Sequence, residues 1–257
     1  MSKKAWLYFF IIILAAGAVA GGRVWGEKEN SPNPSLEKRG TPSLLQREGG
    51  GELPLAEQQP QVLPKQVLLD IPFTAQAPLR EWKDPRQQDG CEEAAIFMAA
   101  HWIKDEPFVS PQAAKEEILA LSHYQDEKFG FYQDTSAEDT AKLLKDYFGY
   151  DSTVTYNIVG EDLIKKELAA GNLVIVPVNG RKLNNPYYTP PGPDRHMIVI
   201  VGYDEETSEF ITNDAGIMRG KSYRYPQATL MSALRDYPSG RHEPFADMPT
   251  AMIVAEK

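Results

Sequence analysis

QQDGCEEAAIFMAAHWIK, residues 87–104, contains Cys91, the only cysteine of the 257-residue chain. Gly90 permits a tight turn immediately before it. Apolar residues then recur at helical spacing, at Ala94, Ala95, Met98 and Trp102. The pattern predicts a helix over residues 91–104, with Cys91 in its first turn.

The lone thiol has two interpretations, because a single cysteine cannot form a disulfide within the chain. Free cysteine is among the most buried residue types, which favours a small buried apolar side chain. A helix N-terminus presents unpaired N–H groups and a dipole that favour a thiolate, which makes Cys91 a candidate nucleophile. In that case we expect its thiol pKa to lie below the value of about 8.5 for free cysteine.

A histidine and a carboxylate follow on two predicted strands. HMIVIVGY, residues 196–203, has the length and β-branched content of a buried strand, and EFITND ends a second one at Asn213 and Asp214. If the two strands form a hairpin, His196 lies near the carboxylate. Cys91, His196 and Asp214 then fit the roles of nucleophile, general base and orienting group.

The other histidines are poor partners for the thiol. His101 lies on the same predicted helix, about 15 Å further along its axis. His123 and His242 lie in polar, loop-like surroundings, where a solvated side chain is expected. The sequence has no HExxH, CxxC or EF-hand pattern, so we expect no metal and no organic cofactor.

Residues 1–26 have the pattern of a secretory signal. Lys3 and Lys4 precede the uncharged run AWLYFFIIILAAGAVA, and Ala18-Val19-Ala20 offers a cleavage site. Extended through Gly22, the uncharged run is also long enough to anchor the chain in a membrane. Cleaved signal and uncleaved anchor both remain open, and either one predicts an extracytoplasmic location, secreted or membrane-anchored.

The rest of the chain divides at about residue 65. Residues 27–65 are rich in Pro, Gly, Glu and Gln and have no apolar periodicity, which predicts a disordered linker. Residues 66–257 are long enough for one domain with a sizeable core. They carry 30 Asp and Glu against 19 Lys and Arg, and this acidic balance argues against nucleic acid as a partner.

Within residues 66–257, helical patterns come first and strand patterns later, which predicts an α+β fold with segregated layers. Pro111 suits the first turn of a helix, and Thr135 with Glu138 suggests a capping box. The predicted helices are 91–104, 111–122, 136–149 and 161–170. The predicted strands are 67–74, 172–178, 196–203 and 208–213, with a last one near 250–255.

Five segments together resemble the C39-like cysteine peptidases, a branch of the papain-like superfamily. They are LDIPFTAQAP, WKDP, QDGCEEAAIFMA, RHMIVIVGYD and FITNDAG, and the resemblance covers roughly residues 66–240. It implies a papain-like α+β fold, in which a helical part packs on an antiparallel β-sheet. The nucleophile would begin the central helix and the histidine would lie on the sheet.

Carried onto this sequence, the resemblance implies that Cys91 is the nucleophile, His196 the base and Asp214 the group that orients the imidazole. Asn213 is the alternative to Asp214, because papain uses asparagine in that role. The family's oxyanion glutamine corresponds to Gln76.

Gln87 and Gln88 are alternatives for that glutamine, because they lie closer to the cysteine in sequence. Glu92 and Glu93, directly after the nucleophile, are a departure, because negative charge there disfavours a thiolate.

The loop of residues 180–195 leads directly into His196 and carries Tyr187 and Tyr188. These two rings and Trp82 are candidate substrate contacts on the rims of a groove. The alternative is an ordinary surface loop packed on the domain.

The sequence therefore predicts an exported or membrane-tethered thiol hydrolase that cleaves peptide bonds of a peptide or protein substrate through an acyl-enzyme on Cys91. The same groups would also serve a transpeptidase or an amidase. The alternative from a different functional class is a noncatalytic module of the same fold that binds peptides or cell wall.

Overall fold

A computed structural model describes residues 62–107, 110–240, 242, 245 and 247–257. Within these ranges, no helix combines the length and the apolar character that a membrane span requires. The predicted signal or anchor, residues 1–26, lies outside the described residues, as does nearly all of the predicted linker.

A single antiparallel sheet forms the centre of the described domain. Its strands are β1 (Gln66–Leu68), β2 (Ser152–Tyr156), β3 (Leu173–Val178), β4 (His196–Asp204), β5 (Glu209–Asn213), β6 (Tyr223–Pro226) and β7 (Ala251–Ala255). In the described part of the chain, the strand order is β2-β7-β3-β4-β5-β6, and β1 pairs with the C-terminal end of β4. The fold is therefore α+β, as predicted.

Helices cover both faces of the sheet. They are α1 (Pro85–Gln88), α2 (Cys91–Ile103), α3 (Pro111–Phe129), α4 (Ala137–Leu143, continued by a π turn over Leu144–Phe148), α5 (Glu161–Ala170) and α6 (Gln227–Ala233). The predicted helix 91–104 is confirmed as α2 and the predicted helix 161–170 as α5. A 3₁₀ turn, Gly180–Leu183, follows β3.

The strands β3 and β4 are apolar along their whole length because both of their faces are buried. Ile175 and Val199 belong to a core cluster with α2, α3 and α4. Val174 and Ile198 belong to a second cluster with α5 and α6 on the opposite face. Each fully buried side chain of this size stabilises the fold by about 1.5–3 kcal/mol.

The helix α2 runs between the sheet and the other helices of its layer, and nearly all of its side chains are buried. Its small residues Ala94, Ala95 and Ala99 share the core cluster with Met197 of β4. A helix that is apolar all round belongs in an interior, and alanines permit its close approach to a neighbour. The N-terminal end of α2 therefore lies beside the N-terminal end of β4.

Two predicted elements have the wrong length. The predicted strand 67–74 pairs with β4 only over β1, and Pro72 has no N–H with which the ladder could continue through that position. The predicted helix 111–122 continues to Phe129 and ends at Gly130, whose φ of 81° is left-handed.

The predicted capping box is also wrong. The N-cap of α4 is Ser136, whose hydroxyl accepts a hydrogen bond from the Asp139 N–H at 3.2 Å. The hydroxyl of Thr140 donates to Thr135 instead, so Thr135 fixes the turn before the helix.

The chain enters the domain at the end of β4 opposite to His196. The hydroxyl of Tyr203 donates to the Pro64 carbonyl at 2.8 Å, and the Glu205 N–H donates to the Lys65 carbonyl at 2.9 Å. The last residues of the predicted linker therefore already contact the sheet.

The carboxyl group of Glu93 joins α2 to α3 in the interior. It accepts hydrogen bonds from Ser122, at 3.2 Å, and from Gln125 through Oε1, whereas its Oε2 has no hydrogen-bond partner in the described part of the chain. Burial, and then the neighbouring charge of Glu92, raise the pKa of Glu93 well above its ordinary value of 4.5.

This raised pKa predicts a loss of stability as the pH rises. Above about pH 4.5 the unfolded state releases a proton from Glu93 that the folded state keeps. The free energy of unfolding therefore falls as the pH rises from about 4.5 to the pKa of Glu93 in the folded state. We expect Glu93→Gln to lose less stability than the wild type between pH 5 and pH 8, measured by urea denaturation. An identical pH dependence in both proteins would contradict this account.

Candidate active site

Cys91 begins α2 directly after Gly90, which caps the helix. A Cβ atom on Gly90 would lie 2.8 Å from the Arg86 carbonyl and 3.3 Å from Ile118, so the turn requires a glycine. The backbone N–H groups of the first helical turn have no partner within the helix. The predicted position of Cys91 at a helix N-terminus is confirmed.

His196 and Asp214 form a hydrogen-bonded pair. The strands β4 and β5 are an antiparallel hairpin in which Val199 lies opposite Asn213, so the start of β4 lies beside the residue that follows β5. The distance from His196 Nε2 to Asp214 Oδ1 is 2.8 Å, and both side chains are buried. The hairpin predicted from the sequence is confirmed, and Nδ1 is the ring nitrogen that Asp214 leaves unused.

Asp214 is fully buried and accepts hydrogen bonds from two tyrosines. The hydroxyls of Tyr188 and Tyr225 each donate to Oδ2 at 2.6 Å, and Asn185 Nδ2 donates to it at 3.2 Å. Burial alone acts to raise the pKa of Asp214, but His196 and the two hydroxyls outweigh it and hold the pKa below its ordinary value. Asp214 is therefore an anion at neutral pH.

Gly216 closes the turn beside this pair. Its N–H donates to Asp214 Oδ1 at 2.9 Å. A Cβ atom at this position would lie 3.0 Å from His196 Cε1 and 3.2 Å from Nε2, so a larger residue would press on the imidazole.

Asn213, the alternative to Asp214, has different partners. Its Nδ2 donates to the Ile71 carbonyl at 3.3 Å, and its Oδ1 accepts from the Ser222 N–H at 3.2 Å. Asn213 therefore ties β5 to the segment after β1, and the geometry places Asp214 beside the imidazole.

The sulfur of Cys91 is directed to Glu92. The thiol donates to Glu92 Oε2 at 3.0 Å, and in the described part of the chain no hydrogen bond joins it to His196. Burial, and then the adjacent Glu92, raise the pKa of the Cys91 thiol well above its ordinary value, although the Met197 N–H bonds to the sulfur and opposes this. The expectation of a lowered thiol pKa is wrong for this arrangement, because the sulfur is buried and Glu92 points towards it.

A cavity of about 950 Å³ opens beside Cys91 and His196. The three predicted substrate contacts line it. Trp82 lies on the loop before α1, and Tyr187, whose side chain is 59% exposed, packs edge-on against Tyr223. Tyr188 is nearly buried, with its ring edge-on to His196 and its hydroxyl bonded to Asp214. It is therefore part of the wall of the cavity and not part of an exposed rim.

The three candidate oxyanion glutamines all use their amide groups elsewhere. Gln76 Nε2 donates to the carbonyls of Gln87, at 3.0 Å, and Gln88, at 2.6 Å. Gln87 donates to Glu81, and Gln88 donates to the Trp82 carbonyl. Gln76 and Gln88 line the cavity.

Asp89, Asp134 and His242 form a group whose oxygen and nitrogen atoms lie within 4.8 Å of one another, close enough to share a cation. However, His242 Nδ1 lies 3.0 Å and Arg195 Nη1 3.5 Å from Asp134 Oδ2. Burial raises the pKa of Asp134 to about 6, and the charges of His242 and Arg195 oppose that rise. The Arg195 guanidinium beside Asp134 would repel a metal ion.

Several residues of the site were missed in the sequence: Asn185, Gly216, Tyr225 and Tyr237. The hydroxyl of Tyr237 donates to Glu92 Oε1 at 2.7 Å. Only Gly216 carries a local signal, because it follows Asp214 in NDAG and permits the turn. The tyrosines and the asparagine act through contacts between segments that are distant in sequence.

Two solved structures match the chain. A protein from Bacillus anthracis assigned as a C39-like peptidase is 15% identical, with a TM-score of 0.46 over 76% of this chain and 99% of that chain. Xylellain, a cysteine protease from Xylella fastidiosa, is 16% identical, with a TM-score of 0.29 over 76% of this chain and 87% of that one. No curated protein matches the chain.

The sequence model of the Peptidase_C39 like family matches residues 68–237, more than half of the chain. The matched region contains the helix α2 and the β4–β5 hairpin, so it includes Cys91, His196 and Asp214. The chain belongs to the C39-like peptidase family.

Proposed function

We propose that this chain is a cysteine peptidase that acts outside the cytoplasm and cleaves peptide bonds through an acyl-enzyme on Cys91. The observation that carries the proposal is that Cys91 and His196 line one cavity, and that His196 is bonded through Nε2 to the buried Asp214. Nucleophile, base and orienting carboxylate are the three groups that thiol catalysis of acyl transfer requires.

In the proposed reaction, His196 Nδ1 takes the proton from Cys91 Sγ, and the thiolate attacks the carbonyl carbon of the scissile bond. The imidazolium then donates its proton to the leaving amine, and the acyl group stays on the sulfur. Water, activated by the same imidazole, hydrolyses the thioester. A different acyl acceptor would give transpeptidation instead.

The S–H bond must turn before Cys91 can react. It now points to Glu92 Oε2, while the sulfur also accepts from the N–H of Met197, the residue next to His196. Rotation of the S–H bond would direct the proton to His196 Nδ1 without moving the helix.

Asp214 has the properties of an orienting group. It is held as an anion, and its bond to Nε2 fixes which nitrogen of His196 faces the cavity. An adjacent carboxylate also stabilises the imidazolium that forms during the reaction.

The backbone N–H of Cys91 and the side-chain amide of Gln76 are the proposed oxyanion donors. Gln76 lines the cavity, but both of its amide hydrogens now bond to backbone carbonyls, so one of them would have to be released. Each donor of this kind typically contributes about 3–4 kcal/mol to the stabilisation of the transition state.

The proposed location and substrate rest on other features. The basic and apolar pattern of residues 1–26 supports export, with or without retention as a membrane anchor. Trp82 and Tyr187 lie on the cavity wall, where they can contact the chain of a peptide or protein substrate.

A noncatalytic peptide-binding module of the same fold is the second candidate. The bond of the thiol to Glu92 in place of His196 favours it, because an idle cysteine needs no base. Binding of peptides without cleavage would support this candidate.

We expect Cys91→Ala and His196→Ala to abolish cleavage of a mixed peptide library, measured by mass spectrometry, because Cys91 is the only thiol of the chain and His196 is the imidazole that Asp214 orients. Asp214→Ala should impair cleavage less completely, since it removes only orientation and charge. Full activity of Cys91→Ala would refute the proposed mechanism.

Asn213→Ala is the control for Asp214→Ala. Its amide contacts backbone carbonyls and not His196, so it should retain more activity in equally folded protein. A larger loss in Asn213→Ala would mean that the orienting residue is wrongly assigned.

We expect Tyr225→Phe to lower kcat about tenfold with little change in KM, because a hydrogen bond to charged Asp214 is lost while the cavity wall stays intact. Tyr223→Phe is the matched control: its ring packs on Tyr225 at 4.8 Å, but its hydroxyl does not contact Asp214. Equal rates for the two variants would show that the Tyr225 hydroxyl does not support the pair.

A further inference from the structure

Cys91 and Glu92 contact each other, although successive residues of a helix normally point about 100° apart. The distance from Sγ to Oε2 is 3.0 Å, and Glu92 is 1% exposed. Its carboxyl group therefore bends back over the helix start. In the described part of the chain, Glu92 forms no ion pair with a cationic side chain, and the peptidase reaction proposed above does not use it.

The surroundings of Glu92 come from several elements. The hydroxyl of Tyr237 donates to Oε1 at 2.7 Å from the segment after α6. Asp134, after α3, adds negative charge. Burial raises the pKa of Glu92 to about 7, with Asp134 adding to that rise and the bonds from Cys91 and Tyr237 opposing it. Glu92 therefore changes its charge near neutral pH.

The two charge states of Glu92 have opposite effects on the sulfur. A carboxylate 3.0 Å from a buried sulfur disfavours a second negative charge, so Cys91 stays a thiol and donates its proton to Oε2. A carboxylic acid carries its own proton and can donate a hydrogen bond to sulfur, which favours the thiolate.

We propose that Glu92 is a positioning residue that determines whether the Cys91 sulfur is held as a thiol away from His196 or is available to it as a thiolate. The inference rests on the role of Cys91 proposed above. A proton from water first binds Glu92 Oε2. The S–H bond of Cys91 then breaks as its proton moves to His196 Nδ1, and the Oε2–H group donates to the thiolate. The sulfur is thus active on the acid side of the Glu92 titration and idle on its alkaline side.

The test is the rate of Cys91 alkylation by iodoacetamide between pH 5 and pH 10 in the full-length protein. At pH 8, Glu92→Gln should react about tenfold faster than the wild type, equivalent to a thiol pKa lower by about one unit. At pH 5.5, where wild-type Glu92 carries its proton, the two rates should agree within about threefold.

Glu93→Gln is the matched control, because it removes an equally buried carboxyl group whose bonds go to α3 and not to sulfur. It should change the rate at pH 8 far less than Glu92→Gln does. Identical pH profiles of Glu92→Gln and the wild type, or an equal effect of Glu93→Gln, would overturn the proposal.

If Glu92→Gln does not fold, Tyr237→Phe decides the question. It removes the hydroxyl that stabilises the Glu92 carboxylate, so alkylation at pH 8 should be faster than in the wild type, and an unchanged rate overturns the proposal.

Alkylation needs no peptide substrate. Faster alkylation of Glu92→Gln without cleavage of library peptides by the wild type would support the role of Glu92 and reject the peptidase. Cleavage with identical alkylation profiles would reject the role of Glu92 alone.

Discussion

The burial of the Asp214 carboxylate is the constraint on which the site depends. An unpaired charge in a protein interior costs several kcal/mol, so every lone pair of this group needs a donor. The donors come from β4, from the loop that precedes it, from β6 and from the turn after β5. These segments must therefore all be in place before the imidazole of His196 has a fixed orientation.

Asp214 and Glu92 show how the same burial leads to opposite charge states. Asp214 receives hydroxyl and amide hydrogens as well as the imidazole, and its pKa is lowered. Glu92 receives one tyrosine hydroxyl and a weakly polar thiol and forms no ion pair with a cation among the described residues, and burial, with the charge of Asp134, raises its pKa to about 7. The domain thus contains one carboxylate held as an anion beside His196 and one that changes its charge near neutral pH beside Cys91.

The fold and the positions of the main groups could be predicted because their signals are local. The helix that begins at Cys91 follows from a turn and an apolar spacing, and the β4–β5 hairpin follows from two apolar runs around a charged turn. β2 and β6 were missed because both are short, lie at the edges of the sheet and are only partly buried, so their apolar pattern is weak.

The environment of the sulfur could not be predicted from the sequence. Glu92 lies next to Cys91 in the chain, but only the fold decides whether its side chain turns towards solvent or back over the thiol. That direction depends on Tyr237, 145 residues further along, whose hydroxyl holds the carboxyl group in the interior. Periodicity and spacing do not report contacts of this kind.

The pairing of β1 with the far end of β4 determines where the preceding chain joins the domain. The Lys65 carbonyl accepts a hydrogen bond from the Glu205 N–H, directly after β4, whereas His196 is the first residue of that strand. The nine residues between them correspond to roughly 30 Å at about 3.3 Å per residue. The point where Lys65 meets the sheet and the Cys91 thiol therefore lie at opposite ends of β4. Residues 62–65 approach the domain from the end away from the cavity that Cys91 and His196 line.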